Sequence, residues 1–260
     1  MTNFQKEVKD RIASYRDETE MVETAAKILQ ASTQPKNCYN IARQDRPIIQ
    51  YPQDIVAMQE LIWQVKPDLI IETGIAHGGS LIFSASILAM LDMNDAIETG
   101  TTLDPSNSNR KVLGIDIYIR EHNRAAIEAH PMASRIQMIQ GSSIADDIVA
   151  EVESIASQYK RVLVCLDSNH THEHVRAELE HYAPLTSKDS YCVVFDTLIE
   201  DMPADEYPDR PWGPGDNPKT AVWDYLKTHP EFEIDRHAVD HSRPRRVFKT
   251  NRVNPRTTQI

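Results

Sequence analysis

The stretch DLIIETGIAHGGS, residues 68 to 80, decides the fold. Its first half, Asp68 to Thr73, is a short apolar run bounded by Pro67 and Gly74, the pattern of a strand covered on both faces. Its second half concentrates Gly74, Gly78 and Gly79, three of the chain's eight glycines, just ahead of an apolar helical pattern from Leu81 to Leu91. A strand, a glycine-rich turn and a helix in that order predict a ligand site. In open parallel sheets ligands sit at the carboxyl ends of strands, where such a turn exposes backbone amides at a helix N-terminus.

Downstream the alternation continues. Strands are expected at Lys111 to Asp116, Arg135 to Gln140, Arg161 to Asp167 and Tyr191 to Asp196, with helices at Asn123 to Ala129, Asp146 to Tyr159 and His172 to Tyr182 between them. Parallel strands need a crossover to return, so the fold class is α/β, Rossmann-like, with a central mostly parallel sheet and helices on both faces. Beyond Asp196 a helix from Lys219 to Thr228 and short strands at Phe232 to Asp235 and Arg246 to Lys249 could add an antiparallel edge. The segment Asp92 to Asn109 reads as a solvent-facing insertion. Upstream, residues 1–52 read as an N-terminal helical arm and a proline-broken linker, 53–250 as the main domain and 251–260 as a tail. A helix is expected from Asp54 towards Pro67.

Composition narrows the partners. With 260 residues, 40% hydrophobic and 26% charged, the chain can bury a core, and its net charge of -11 disfavours nucleic acid. The apolar stretch Leu81 to Leu91 falls short of a bilayer span, and the N-terminus lacks the apolar middle of a signal peptide, so no membrane insertion and a cytoplasmic location are expected. Cys38, Cys165 and Cys192 have no paired or metal-binding spacing and read as buried thiols.

The turn Glu72-Thr-Gly-Ile-Ala-His-Gly-Gly-Ser80 is not G-x-G-x-x-G, because Ala76 holds the second glycine position. An acidic strand end followed by G-x-x-x-G suits S-adenosylmethionine better than a dinucleotide, since that cofactor has cationic groups and no pyrophosphate. Glu72, Gly74, His77, Gly78 and Ser80 are therefore assigned to the cofactor. Asp116, ending the second strand, stands where ribose hydroxyls would lie, although a helix cap is the plainer alternative. Ser142 and Ser143 follow the third strand and face an adenine edge or form a simple turn. Asp167 and Asp196 end neighbouring strands and could hold Mg²⁺, which takes oxygen ligands. His170 is a general-base candidate, whereas His172 and His174 are expected to sit on a solvated helical turn. The loop Trp212 to Asp216 is a candidate lid or a surface turn before a helix capped by Asn217.

The runs DLIIETGIAHGGS, VLGIDIYIR, RVLVCLDSNHTHEHVRAELEHYAPL, YCVVFDTLIED and WGPGDNPKTAVWDYL, in that order, resemble the cephalosporin hydroxylase and rhamnosyl O-methyltransferase family over about Ile48 to Lys249. The resemblance implies a methyltransferase that binds S-adenosylmethionine, forms homo-oligomers, uses Mg²⁺ and methylates a hydroxyl of a sugar, glycolipid or natural product. It places Glu72, Gly74, Asp116 and Asp167 on cofactor or metal positions, Asp196 on a metal position and His170 on a base position. One departure stands out: the family's fifth strand ends Glu-Asp, whereas this chain has Phe195-Asp196. A water, Glu200 or Asp201 would complete the metal shell, or the metal is weakly held or absent. A nicotinamide-dependent oxidoreductase and a non-catalytic cofactor-binding protein are the competing readings.

Overall fold

The computed structural model describes residues 2–14, 19–33, 35–235 and 246–250. Two helices, α1 (Asn3–Ser14) and α2 (Thr19–Thr33), lead into an antiparallel hairpin of β1 (Ile41–Arg43) and β2 (Arg46–Ile48). The alternating series follows: α3 (Pro52–Val65), β3 (Leu69–Thr73), α4 (Gly79–Thr99), β4 (Lys111–Asp116), α5 (Glu121–Glu128), β5 (Ile136–Gln140), α6 (Asp146–Ala156), β6 (Val162–Leu166), α7 (His172–Tyr182) and β7 (Tyr191–Val194). The chain continues through α8 (Pro218–Thr228), β8 (Phe232–Ile234) and β9 (Arg246–Thr250). Seven strands form one sheet in the order β5-β4-β3-β6-β7-β9-β8. The first five run parallel, and β9 and β8 close it as the antiparallel edge expected from the sequence. The tail 251–260 lies outside the described residues.

The apolar run that signals β3 becomes its central strand. Leu69, Ile70 and Ile71 are fully buried and alternate between two core layers. Ile70 packs in the layer containing Leu61 and Ile62 of α3 and Leu81 and Leu88 of α4. Leu69 and Ile71 join the layer with Val152 of α6 and Leu179 of α7. Burying each such side chain stabilises the fold by roughly 1.5–3 kcal/mol. Helix α3 starts with Pro52, whose missing N–H costs nothing in the first turn, and stops at Lys66, which is left-handed (φ 51°) and donates its N–H to the Ile62 carbonyl.

Apart from shifts of a few residues at element ends, the structure departs from the sequence reading in two places. Helix α4 runs on to Thr99 before Gly100 ends it, so only about half of the expected Asp92 to Asn109 insertion is loop. Asp92 and Asp95 interrupt the apolar pattern because they face Arg110 and Arg135, whose guanidinium groups they bind. At 21 residues α4 is also the one helix among the described residues long and apolar enough to cross a membrane. Its apolar side chains Leu81, Ile82, Leu88 and Leu91 are instead fully buried in the core. The second difference is the hairpin, which the proline-broken linker concealed. It packs on α4, and a side chain added at Gly79 would meet the Pro47 carbonyl at 2.2 Å.

Candidate active site

The carboxyl ends of β3, β4, β6 and β7 open into three adjoining cavities. In the first, of about 350 Å³, the wall includes Gly74, Asp116, Ser142, Ser143, Ser168 and Trp212. The second, about 210 Å³, lies between the turn after β3 and the hairpin, with His77, Ser80, Tyr39 and Gln50 in its wall. The third, about 160 Å³, is enclosed by residues of the N-terminal linker and of the loop after β7. Asp167 and Asp196 line the second and third; His170 lines all three.

The turn after β3 is shaped from within. Gly74 has φ +89°, and a Cβ there would lie 2.1 Å from the Asp167 backbone oxygen, so the glycine permits the close approach of two strand ends. Gly78, at φ +82°, leads into α4, and its missing side chain makes room for Ile127. It supports the turn from behind and lines none of the three cavities. Glu72 is buried and accepts a hydrogen bond from the Ser80 hydroxyl; Ser80, not Glu72, reaches the cavity wall. Asp116 lines the first cavity while gripping the turn. Its Oδ2 accepts from the backbone N–H of Ile75 at 2.8 Å and of Ala76 at 3.2 Å, and its Oδ1 from that of Tyr118 at 3.0 Å. The turn's carbonyls are held from the other side. Arg46 of the hairpin donates twice to the His77 carbonyl, at 2.6 and 3.0 Å, and once to Asn123 Oδ1 at 3.0 Å. Asn123 donates to the Ala76 carbonyl at 2.9 Å. Arg46 and Asn123 were not expected from sequence, because no motif marks either residue.

Asp167, His170 and Asp196 converge, with one ligand atom of each within 4.8 Å of the others. Asp196 adopts φ +53° at the end of β7, and its Oδ2 lies 3.1 Å from His170 Nε2. The two carboxylates suit a hard divalent cation that keeps several waters, with the imidazole standing beside them. Glu200 and Asp201 do not join it. Glu200 accepts from Asn217 Nδ2 at 2.5 Å and from the Gly215 N–H at 2.7 Å, and Asp201 pairs with Lys219. Phe195 is buried and forms part of the third cavity's wall.

The other histidines are not on a solvated turn. His172 donates its backbone N–H to Asp216 at 2.6 Å and sets Nδ1 2.8 Å from the Thr220 hydroxyl, tying α7 to α8 and its preceding loop. His174 enters the wall of the first cavity, where its Nε2 lies 3.0 Å from the Ser143 hydroxyl. The hydroxyls of Ser143 and Ser168 both donate to buried Glu178 at 2.6 Å, fixing the floor beneath the cavity. The Trp212 to Asp216 loop is the turn before a capped helix that the sequence offered, and it also brings Trp212 to the cavity wall. Asn217 caps α8 with a reciprocal capping box, while Trp212 stands edge-on to His170 at 5.6 Å and to Tyr207 at 5.1 Å. Burial pushes the Tyr207 phenol up to about 12, keeping it protonated. Cys38, expected to be buried, is half-buried in the third cavity, where burial and then Asp196 push its thiol up.

A parallel sheet in this order, with a glycine turn after its central strand and acidic groups at the next strand ends, defines the Rossmann-like methyltransferase fold. The chain belongs to the rhamnosyl O-methyltransferase/CmcI family, whose model matches residues 35–248. Among curated proteins it is similar to the rhamnosyl O-methyltransferase of Mycobacterium bovis, 28% identical over 154 residues, covering 58% of this chain and 54% of that one. The Mycobacterium leprae counterpart is 26% identical over 151 residues, covering 58% and 57%. The chain thus spans about half the length of the curated relatives it matches. Similar solved structures include CmcI in its apo form, with TM-score 0.52 and 14% identity over 83% of this chain and 78% of that one. Another is CmcI with Mg and SAM, at TM-score 0.50 and 16% identity over 82% and 77%.

Proposed function

We propose that this protein is an S-adenosylmethionine-dependent O-methyltransferase that methylates a hydroxyl of a small molecule, with His170 as general base and Asp167 and Asp196 as ligands for Mg²⁺. The observation that carries the reading is the position of His170 where all three cavities meet. A cofactor in the first two and an acceptor in the third would face each other across its imidazole. Membership of the family and the named activity of the mycobacterial relatives support the same chemistry. Assembly into homo-oligomers and a cytoplasmic location belong to this reading.

S-adenosylmethionine, when bound, supplies an electrophilic methyl group. The chain's own groups bring an oxygen nucleophile behind it and take up a proton. The turn held by Asp116, Arg46 and Asn123 presents a rigid edge to the cofactor, so the positioning entropy is met on folding rather than at the moment of reaction. His170 Nε2 lies 3.1 Å from Asp196 Oδ2, and a carboxylate at that distance favours a proton on Nε2, which would leave the lone pair of the neutral ring on Nδ1 as the proton acceptor. Asp167 and the other oxygen of Asp196 suit a cation that would lower the pKa of an acceptor hydroxyl beside the base.

His170→Ala should leave S-adenosylhomocysteine affinity within about twofold of wild type and lower turnover at least about a hundredfold, the usual worth of a positioned proton acceptor. Calorimetric titration and a methyl-transfer assay read the two effects separately. Unchanged turnover would remove His170 from the mechanism.

A further inference from the structure

We infer that Glu178, a fully buried side chain of α7, makes the first cavity selective for adenine over a 6-oxopurine by fixing the direction of the Ser143 and Ser168 hydroxyls; the inference rests on the methyltransferase reading of this site. A serine hydroxyl has a single hydrogen and can turn it toward whichever partner binds it best. A carboxylate only accepts, and it is a stronger partner than a neutral group. Ser143 follows β5 and Ser168 follows β6, yet both hydroxyls donate to the same Glu178 Oε1, each at 2.6 Å. Each hydrogen is therefore committed beneath the cavity, and what remains on each oxygen for a ligand is lone pairs.

His174 completes the pattern. Its Nε2 lies 3.0 Å from Ser143 Oγ and 3.3 Å from Ser168 Oγ. With both hydroxyl hydrogens committed to Glu178, a hydrogen bond across those contacts needs the proton on Nε2, which leaves Nδ1 of the neutral ring as a further acceptor. The Ser143 carbonyl is occupied as well, by the hydroxyl of buried Tyr182. Ser143, Ser168 and His174 all line the first cavity, so this part of its surface offers lone pairs and no side-chain hydrogen. Asn169 and Arg210 bring donors to the same wall, but both are exposed, where water competes for them.

Stability gives no reason for Glu178 to be there. Its second oxygen, Oε2, is buried with no hydrogen-bond partner among the described residues. A buried carboxylate with an unpaired oxygen is a poor choice for a core, and an apolar side chain of similar volume would serve the packing better. Its use lies in what it does to the hydroxyls. Adenine carries an amino group at C6, a donor; hypoxanthine carries a carbonyl oxygen there, an acceptor. A surface of lone pairs answers the amino group and opposes the carbonyl, and a site built for one hydrogen-bonding group rejects an analogue that lacks it.

The test is calorimetric titration of the protein with S-adenosylhomocysteine and, separately, with S-inosylhomocysteine, its 6-oxo analogue. Wild type is expected to bind the adenosyl compound at least about a hundredfold more tightly. Glu178→Leu frees both hydroxyls to turn, so the preference should shrink to about tenfold or less. Glu178→Gln keeps a carbonyl oxygen for the serines and should retain most of the preference. The ratio of the two affinities is the readout, because a purely structural role would lower both together and leave the ratio unchanged. Should Glu178→Leu not fold, Ser168→Ala, which deletes one acceptor from the cavity wall, should cut the ratio about tenfold. Equal affinities in wild type, or a wild-type ratio in folded Glu178→Leu or in Ser168→Ala, would overturn the inference and leave the methyltransferase reading standing. Failure of S-adenosylhomocysteine to bind at all would overturn both.

Discussion

The two ends of the central sheet treat charge in opposite ways. At the amino ends of β4 and β5, Asp92 binds both Arg110 and Arg135, Asp95 pairs with Arg110 at 2.7 Å, and Ser108 donates to Asp92 at 2.6 Å. Each carboxylate meets a guanidinium, and the Arg135 side chain is only 2% exposed. At the carboxyl ends, two carboxylates and one imidazole converge on open cavities, and the group beside Asp196 is the His170 ring at 3.1 Å rather than a guanidinium. The same fold therefore neutralises charge where it needs rigidity and leaves it facing a cavity where a ligand can complete the set. Density of charged residues alone would not separate the two ends; the identity of the counter-charge does.

Breaking the amino-end network should produce the largest effect on stability and almost none on the site. Arg135→Ala strips a buried partner from Asp92, and removing one member of a buried ion pair costs about 3 kcal/mol or more. A thermal melt should show the loss, while the folded protein should keep its S-adenosylhomocysteine affinity within about twofold. A large fall in affinity at temperatures where the variant is folded would mean that the two ends are coupled. The complementary variant is Arg46→Ala at the carboxyl end, which frees the His77 carbonyl and leaves Asn123 with one contact fewer. Its expected stability cost is smaller, about 1–3 kcal/mol. Cofactor affinity should nevertheless fall about tenfold, because the turn loses one of its three anchors. Arg46→Lys should recover part of that affinity; equal affinities for Ala, Lys and wild type would make Arg46 structural only.

The contrast also explains what could be read from the sequence. Four of the five parallel strands were legible as short runs buried on both faces, as at Leu69 to Ile71, while the partly buried β5 was legible from the alternation of strands and helices. The meeting of Asp167 and Asp196 was legible too: β6 and β7 were expected to be neighbours, and residues ending neighbouring parallel strands must project from the same edge. The end of α4 was hidden because Asp92 and Asp95 look like loop residues until Arg110 and Arg135 are seen to answer them across the fold. The hairpin was hidden for another reason. Its strands are three residues long and one contains Pro47, features that local pattern rules assign to turns. With it went Tyr39 and Tyr51, which line the third cavity only because the linker folds back over the sheet. His174 was misplaced because a histidine in a first helical turn is usually solvated, and only the fold brings Ser143 and Ser168 to meet it.

The effect most specific to the amino end depends on pH. Burial alone would raise the Asp92 carboxyl, but hydrogen bonds from Ser108, Arg110 and Arg135 outweigh that and hold it below its ordinary value of 3.8. A carboxyl whose folded pKa lies below its unfolded one stabilises the protein above the unfolded value, and that contribution fades as pH falls through the folded one. Asp92→Asn removes the charge at every pH while keeping much of the shape. The melting-temperature gap between wild type and Asp92→Asn should therefore be full near neutrality, shrink below about pH 4 and close in stronger acid, since the remaining carboxyls titrate alike in both proteins. Calorimetry on the two proteins from pH 7 to pH 3 measures the gap directly. A gap constant over that range would mean that Asp92 contributes through shape rather than charge, and the distinction between a neutralised end and a poised end of the sheet would then have to rest on Arg110 and Asp95 alone.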